Sequence, residues 1–189
     1  MNYFIKKKYF DLFISSILLI ILLFPIMIIY FILKIFYATN PIYFSKRVGK
    51  NNIIFLMPKF RTMTEDAPQV AKNKINNKYI TRLGRLLRYS SLDELPQLFS
   101  VLSGKMSLVG PRPALFNQKG LILLRSKKKI HHLKPGITGW AQINGRDEIS
   151  IRKKVELDYY YYNNLSLYMD IKIIIITFFK VFNFRNILR

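Results

Sequence analysis

The sequence predicts an α+β fold that is mainly helical and membrane-associated, with a small β-hairpin or sheet between helical ends. Three observations predict it: residues 12–33 hold no charge and are mostly apolar, residues 41–63 hold two short β-favouring segments, and residues 149–162 and 165–182 predict two further helices, the second strongly apolar. The 189 residues suffice for one domain with a substantial core and hardly for two. We divide the chain into a membrane helix over residues 1–38 and a surface-bound domain over residues 39–189.

The composition calls for an anionic partner. The net charge is +21, from 31 Lys and Arg against 10 Asp and Glu, which suits nucleic acid, an anionic membrane surface or phosphorylated substrates. The chain is also 51% hydrophobic and 15% aromatic, too apolar for a disordered basic tail. A basic and apolar chain suits a membrane surface better than it suits DNA. With no cysteines, neither disulfides nor thiolate zinc sites can form.

The apolar run of residues 12–33 is long enough to cross a bilayer. As a helix it would extend about 33 Å, against a hydrocarbon core of about 30 Å, and no small-residue cleavage site follows it, which argues against a signal peptide. Lysines flank it on both sides, so the positive-inside bias draws both ends to the cytoplasm. Pro25 lies near the middle and deprives the Ile21 carbonyl of its helical donor. Two paths stay open: a kinked span, or a broken helix that enters and leaves by one face.

The next region predicts a hairpin and then a basic helix. Residues 42–44 and 53–56 favour strands and are separated by the turn-rich residues 47–52. Residues 64–78 are polar and predict a loop. Residues 81–89 form a short amphipathic segment with Arg82, Arg85 and Arg88 at a spacing of three. These arginines either face solvent or lipid headgroups, or at least one of them clamps a phosphate.

Residues 88–113 concentrate the unusual features. Asp93 and Glu94 are adjacent acids in a chain with only 10 acidic residues, and Pro96 follows two positions later. A helix is expected to begin at Pro96 or to have its first turn there, and Ser91 with Glu94 fits a capping box. The acids either stabilise a helix start, or form a carboxylate nucleophile beside a metal-binding carboxylate for phosphoryl transfer. Their spacing alone leaves both open.

The C-terminal half predicts further helices around a glycine-rich segment. We expect helices over residues 114–132 and 149–162. Between them, residues 134–146 hold three glycines and the only tryptophan, which indicates either close approach to a ligand or a tight structural turn. Residues 165–182 are strongly apolar but interrupted by charges, which is typical of an interfacial helix rather than a second span.

Five motifs occur in order: residues 59–63 (KFRTM), 91–97 (SLDELPQ), 106–113 (MSLVGPRP), 135–146 (PGITGWAQINGR), and Tyr159-Tyr160 followed by residues 164–166 (NLS) and Asp170. Together they resemble the bacterial sugar transferases called monotopic phosphoglycosyl transferases, in their small form. The resemblance covers essentially the whole chain, and several linked motifs are far more specific than one. Larger relatives carry additional membrane spans ahead of the catalytic domain, and we expect none here.

The resemblance implies a reaction: a sugar phosphate moves from a UDP-sugar to polyprenyl (undecaprenyl) phosphate, which releases UMP and gives a polyprenyl-diphosphate-sugar for a bacterial glycoconjugate pathway. In the family, the Asp at the position of Asp93 attacks the β-phosphorus and forms a covalent phosphosugar intermediate. The Glu at the position of Glu94 is associated with Mg²⁺. A carboxylate is a competent nucleophile at phosphorus, and Mg²⁺ offsets its repulsion from the diphosphate.

The motif match also implies further residues and a location. The basic residues that we place at the substrate phosphates are Lys59, Arg88, Arg112 and Arg146. The family's first helix is re-entrant and broken at a Ser-Pro pair, with the catalytic domain on the cytoplasmic face of the inner membrane among anionic lipids. Here Phe24 precedes Pro25 where the family often has Ser, so the break would depend on Pro25 and its packing.

A second class of function would be a membrane-anchored protein that binds nucleic acid, with the acids only capping helices. It predicts stacking aromatics interleaved with Lys and Arg. The aromatics here crowd into the two apolar segments instead, so we expect no nucleic-acid partner. An inactive scaffold subunit is disfavoured by the intact Asp93-Glu94 pair.

Overall fold

The computed structural model describes residues 2–37, 39–68, 76–145 and 149–182, and it is mostly helical with two small sheets, as the predicted α+β class requires. The helices are α1 (Tyr3–Phe36), α2 (Arg82–Tyr89), α3 (Gln97–Leu102), α4 (Lys119–Lys127), α5 (Trp140–Ile143), α6 (Ile151–Asn163) and α7 (Leu167–Phe182). The strands are β1 (Ile42–Val48), β2 (Ile54–Phe60), β3 (Ser107–Val109), β4 (Ala114–Leu115) and β5 (Gly136–Thr138).

Helix α1 is a single helix of 34 residues that begins after Asn2, whose side chain accepts a hydrogen bond from the Phe4 N–H. Within the described part of the chain, only α1 is long and apolar enough to cross a membrane, by length and composition. Pro25 lies inside α1, and helical structure continues through it. The secondary structure therefore shows no break at Pro25, and a re-entrant path for this helix stays a prediction.

One face of α1 packs against the domain along most of its length. The buried residues are spaced at helical intervals: Asp11, Ser15, Ile26 and Leu33. In the N-terminal half the contacts include polar ones, because Asp11 accepts hydrogen bonds from the Ser107 hydroxyl at 2.7 Å and from the Leu108 N–H at 3.3 Å. Buried polar groups need such partners, and these bonds fasten the first half of α1 to β3.

The predicted hairpin is confirmed and is longer than predicted. Strands β1 and β2 pair antiparallel from Ile42 opposite Phe60 to Val48 opposite Ile54. Strand β4 pairs with the other edge of β1, which gives the order β2-β1-β4. A second, two-stranded sheet pairs β3 with β5 in parallel.

The predicted helix over residues 114–132 is wrong at its start. Ala114 and Leu115 form β4, and α4 covers only Lys119–Lys127. The reason is that β1 has a free edge with which these two residues pair. The pairing gives their backbone groups hydrogen-bond partners, which the first N–H groups of a helix do not have within the helix. The predicted helix over residues 149–162 is confirmed as α6.

The glycine-rich segment of residues 134–146 brings two parts of the chain together. A Cβ added at Gly136 or Gly139 would collide with the backbone of Gly110, so both positions require glycine. The close approach is between chain segments, as the structural alternative predicts. Trp140 stacks on Tyr160 with ring centroids 5.4 Å apart.

Candidate active site

The two adjacent acids lie in a tight turn between α2 and α3. A single 3₁₀ turn spans Leu92–Glu94, and Ser91 before it has a φ of 58°, in the left-handed region. The predicted capping box is therefore wrong, because a capping residue needs an extended backbone, and the Ser91 side chain makes no capping bond here. Helix α3 begins directly after Pro96, as predicted. The turn directs Asp93 and Glu94 into the interior.

Glu94 is held by two cations from distant parts of the chain. Its Oε1 accepts hydrogen bonds from Lys59 Nζ at 2.8 Å and from Arg112 Nη2 at 2.9 Å. Lys59 lies on β2, and Arg112 follows β3. Burial alone would raise the pKa of Glu94, but the attraction of Arg112 and Lys59 outweighs it and holds that pKa well below its usual value. Glu94 is therefore ionised at neutral pH.

The pKa of Asp93 is shifted in the opposite direction. Its side chain is buried, and burial together with the neighbouring Glu94 charge raises its pKa to about 6, against the attraction of Lys59, Arg88 and Arg112. A pair of acids whose surroundings separate their pKa values is a common feature of sites that give two carboxylates different roles. Asp93 is thus a poorly solvated carboxylate that still ionises near neutrality.

Arg88 joins the site from α2. Its Nε donates to Thr62 Oγ1 at 2.8 Å, and its charge is near enough to Asp93 to lower the pKa of that acid. Arg82 and Arg85 on the same helix are exposed. Of the predicted phosphate-binding residues, Lys59, Arg88 and Arg112 therefore surround the acid pair, whereas Arg146 lies outside the described residues.

Behind Arg112 lies a buried ion pair that sequence reasoning missed. Arg125 of α4 donates through Nε and Nη2 to Asp158 Oδ2 of α6, at 2.9 and 2.6 Å. Its third donor, Nη1, reaches the backbone carbonyl of Arg112 at 2.8 Å. The sequence offered only a weak signal, since α6 contains two acids, Glu156 and Asp158, and nothing in the sequence marks which of them is buried and needs a cationic partner.

The carbonyls on either side of Arg112 are held as well. The Pro111 carbonyl accepts from the Gly136 N–H at 3.0 Å, and the Pro113 carbonyl accepts from Arg47 Nη1 at 3.1 Å. Three successive carbonyls thus have donors from three elements, while the two prolines restrict the backbone. This arrangement fixes the direction in which Arg112 points.

The carboxylates fit Mg²⁺ that arrives with a phosphorylated substrate. The described residues contain no group of three or more His, Asp or Glu side chains that could hold an ion alone. Both cation contacts of Glu94 fall on Oε1, with Asp93 adjacent in the turn. Mg²⁺ is usually bound by one or two carboxylates together with substrate phosphates and water, so this donor set is sufficient.

A known protein family matches nearly the whole chain. The family described as "Bacterial sugar transferase" matches residues 1–184. The chain is 43% identical over 182 residues to the "Uncharacterized sugar transferase EpsL" of Bacillus subtilis, with 94% of this chain and 87% of that protein covered.

Other relatives carry names that state an activity. A UDP-glucose:undecaprenyl-phosphate glucose-1-phosphate transferase of Xanthomonas campestris is 38% identical, with 95% of this chain but 40% of that protein covered. An undecaprenyl-phosphate galactose phosphotransferase of Salmonella typhimurium is 36% identical, with 89% of this chain and 38% of that protein covered. The chain thus spans less than half of these two relatives. Since the family match extends over nearly all of the chain, the chain belongs to the bacterial sugar transferases and is a transferase.

Proposed function

We propose that the protein moves a sugar 1-phosphate from a UDP-sugar to polyprenyl phosphate, with release of UMP. The observation that carries this proposal is the buried Asp93, which ionises near neutrality beside a Glu94 held by Lys59 and Arg112. The names of the two relatives support the substrate classes, since both names contain undecaprenyl phosphate and a sugar, and one of them also names UDP-glucose. The donor, the acceptor and the covalent intermediate in this chain are part of the proposal.

In the first step, a carboxylate oxygen of Asp93 attacks the β-phosphorus of the UDP-sugar. A bond forms between that oxygen and phosphorus, and the bond from the β-phosphorus to the bridging oxygen breaks. The bridging oxygen keeps the electron pair and leaves as part of UMP. The sugar phosphate is then attached to Asp93, and no proton transfer is needed.

In the second step, an oxygen of polyprenyl phosphate attacks the same phosphorus. The bond from phosphorus to Asp93 breaks, the carboxylate is regenerated, and the product is a polyprenyl-diphosphate-sugar. Splitting the transfer in this way lets the water-soluble donor and the lipid acceptor use the same nucleophile in turn.

The cations stabilise the negative charge of both substrates. Arg112 and Lys59 surround Glu94, and Arg88 lies near Asp93, so three positive charges face the place where phosphate oxygens must be held. Bound at Glu94, Mg²⁺ would neutralise diphosphate oxygens as Asp93 approaches. We assign Arg146 to the same role from its motif.

The enzyme works, in this proposal, on the cytoplasmic face of the bacterial inner membrane. The exposed side of α1 is strongly apolar, with Ile20, Phe24 and Ile35 each more than 70% exposed. Such side chains are stable in lipid and costly in water. The net charge of +21 favours anionic lipids on that face.

The test is UMP release from a panel of UDP-sugars, with polyprenyl phosphate and Mg²⁺ each present or absent. We expect release with one or a few donors, and loss of it in Asp93→Asn but not in the exposed control Asp66→Asn. Mass spectrometry should find a phosphosugar on Asp93 when the acceptor is omitted. If Asp93→Asn turns over at near the normal rate, Asp93 is not the nucleophile. If no UDP-sugar is turned over and the protein binds nucleic acid equally well with and without Asp93→Asn, the nucleic-acid-binding alternative is favoured.

A further inference from the structure

An apolar groove lies between α1, the β1–β2 hairpin and the start of α3. It encloses about 470 Å³, and all ten residues that line it are apolar or aromatic. Ile26 and Phe60 form its buried floor. Met27, Phe44 and Phe99 line it as well and are about half exposed, so the groove is open on one side. Monomeric proteins rarely leave a concave apolar surface of this kind without an occupant.

The groove begins next to the charged site. Successive side chains of a strand point to opposite faces, so Pro58 and Phe60 of β2 line the groove while Lys59 between them reaches Glu94. On the other side, Pro96 lines the groove two residues after Glu94. Two separate elements thus pass from the charged site to the apolar surface within one or two residues.

This arrangement selects the chemistry of the occupant. A molecule that fits both surfaces has a phosphate at one end and a hydrocarbon chain directly behind it. A nucleotide sugar is polar throughout and would leave the groove empty. The wall formed by Met27 and Phe31 belongs to the apolar face of α1, so a chain can enter from lipid without exposing its hydrocarbon to water.

We infer that the groove holds the isoprenoid units nearest the phosphate of the polyprenyl phosphate acceptor. The bound chain sets the position of the acceptor phosphate, which can then reach the phosphorus attached to Asp93. This inference rests on the proposed function for the identity of the acceptor, and it assigns the groove to the second half-reaction alone. The charged site selects a ligand with a phosphate head, and the groove selects a ligand with a long apolar chain.

The kinetic test separates the two half-reactions in the full-length enzyme. We expect Phe44→Ser and Phe99→Ser each to raise KM for a long-chain polyprenyl phosphate roughly tenfold or more. The burst of UMP without acceptor and KM for the UDP-sugar should not change. For a short-chain isoprenyl phosphate, KM should differ little between the variants and the wild type. Phe13→Ser is the matched control, because Phe13 is 65% exposed on α1 and does not line the groove.

Other results would overturn the inference. A reduced UMP burst in the groove variants would mean that these side chains support the site as a whole. Equal effects on long and short acceptors, or an equal effect of Phe13→Ser, would mean that the groove does not hold the chain.

A binding measurement decides the question without turnover. A long-chain polyprenyl phosphate with a photoreactive group in its first isoprene units is added to the wild-type protein in nanodiscs, in parallel with a photoreactive phosphatidylglycerol. Adducts of the polyprenyl probe on Met27, Phe44 or Phe99, and not on Phe13, support the inference. Adducts from the phospholipid alone, or none in the groove, overturn it. If no UDP-sugar is turned over, the proposed function fails, whereas this measurement still decides whether the groove binds an isoprenoid phosphate.

Discussion

The left-handed turn at Ser91 places two neighbouring carboxylates in different surroundings. Glu94 meets Lys59 and Arg112 directly, whereas Asp93 enters the interior, where burial outweighs the cations around it. Two acids that are adjacent in sequence thus acquire pKa values shifted in opposite directions. In the proposed mechanism, this separation suits Asp93 to act as the nucleophile and Glu94 to hold Mg²⁺.

The raised pKa of Asp93 predicts a pH dependence. Only the ionised carboxylate attacks phosphorus, so kcat/KM for the UDP-sugar should rise through pH about 6 and level off above it. Burial raises the pKa of Asp93 most and the Glu94 charge raises it further; in Glu94→Gln that charge is gone, while Lys59, Arg88 and Arg112 still attract the Asp93 carboxylate. The ¹³C shift of the Asp93 carboxyl should therefore titrate at lower pH in that variant. A flat profile between pH 5 and 8 would contradict the assignment.

The opposite shifts also predict opposite effects on stability. Because the pKa of Asp93 is raised from 3.8 to about 6, the folded protein gains protons in this window and loses stability as the pH rises through it. Asp93→Asn should therefore melt a few degrees higher than wild type at pH 8, since about 1 kcal/mol moves Tm by roughly 2–4 °C at this size. That gain should shrink towards pH 4.

Glu94→Gln is the matched comparison, with the sign reversed. The depressed pKa of Glu94 means that its ionised form stabilises the fold above its ordinary value of 4.5. The variant should therefore melt lower than wild type at pH 8. Thermal melting of both variants in the same detergent measures the contrast, and equal shifts of the same sign would disprove the electrostatic account.

At the level of elements, α4 and α6 act on the site through the backbone of Arg112. The Arg125–Asp158 pair is buried, and removal of one member leaves a buried charge, which costs about 3–5 kcal/mol. Arg125→Met should therefore lower Tm strongly and raise KM for the UDP-sugar, because the Arg112 carbonyl loses its donor.

A double variant separates stability from positioning. Arg125→Met with Asp158→Leu removes both charges, so most of the stability should return, while KM for the UDP-sugar stays raised. The exposed pair Lys153–Glu156 on α6 is the control, and replacing it by Met and Leu should change neither quantity much. Full recovery of KM in the buried double variant would show that Arg125 has only a structural role.

Elements with a local pattern were predictable. The short β-favouring runs of residues 42–44 and 53–56, with turn-rich residues 47–52 between them, predicted the hairpin, and residues 149–162 were predicted as the helix that forms α6. Strand β4 was not predictable, because its two residues form a strand only by pairing with β1, which lies more than sixty positions earlier in the chain. Local propensity carries no information about such a pairing.

The candidate site could likewise be predicted from the sequence only in part. The spacing of Asp93, Glu94 and Pro96 left both a helix start and a phosphoryl-transfer site open, and only the linked motifs favoured the second. The motifs also named Lys59, Arg88 and Arg112, which the structure brings around the acids. Arg125 and Asp158 lie 33 positions apart without a motif, and nothing local links them.

At the scale of the whole molecule, both halves of α1 pack on the same domain. Near its start, Lys7 donates to Asp170 of α7 at 2.9 Å, and Asp11 is bonded to β3. Near its end, Leu33 is buried in a cluster with Phe60 of β2. At about 1.5 Å per residue, α1 is about 50 Å long, well beyond a hydrocarbon core of about 30 Å. A helix fastened to one domain near both ends is difficult to place across a bilayer.

This packing predicts that both ends of α1 lie on the cytoplasmic side. The chain has no cysteines, so Asn2→Cys and Thr39→Cys each provide a single reactive site just beyond the helix ends. In intact cells a membrane-impermeant maleimide should label neither variant, and it should label both in inverted membrane vesicles. UMP release by each labelled variant checks that the fold is retained. If one position is labelled in intact cells and the other only in inverted vesicles, α1 spans the membrane. The contacts that Lys7 and Leu33 make with one domain could not then both persist in the membrane.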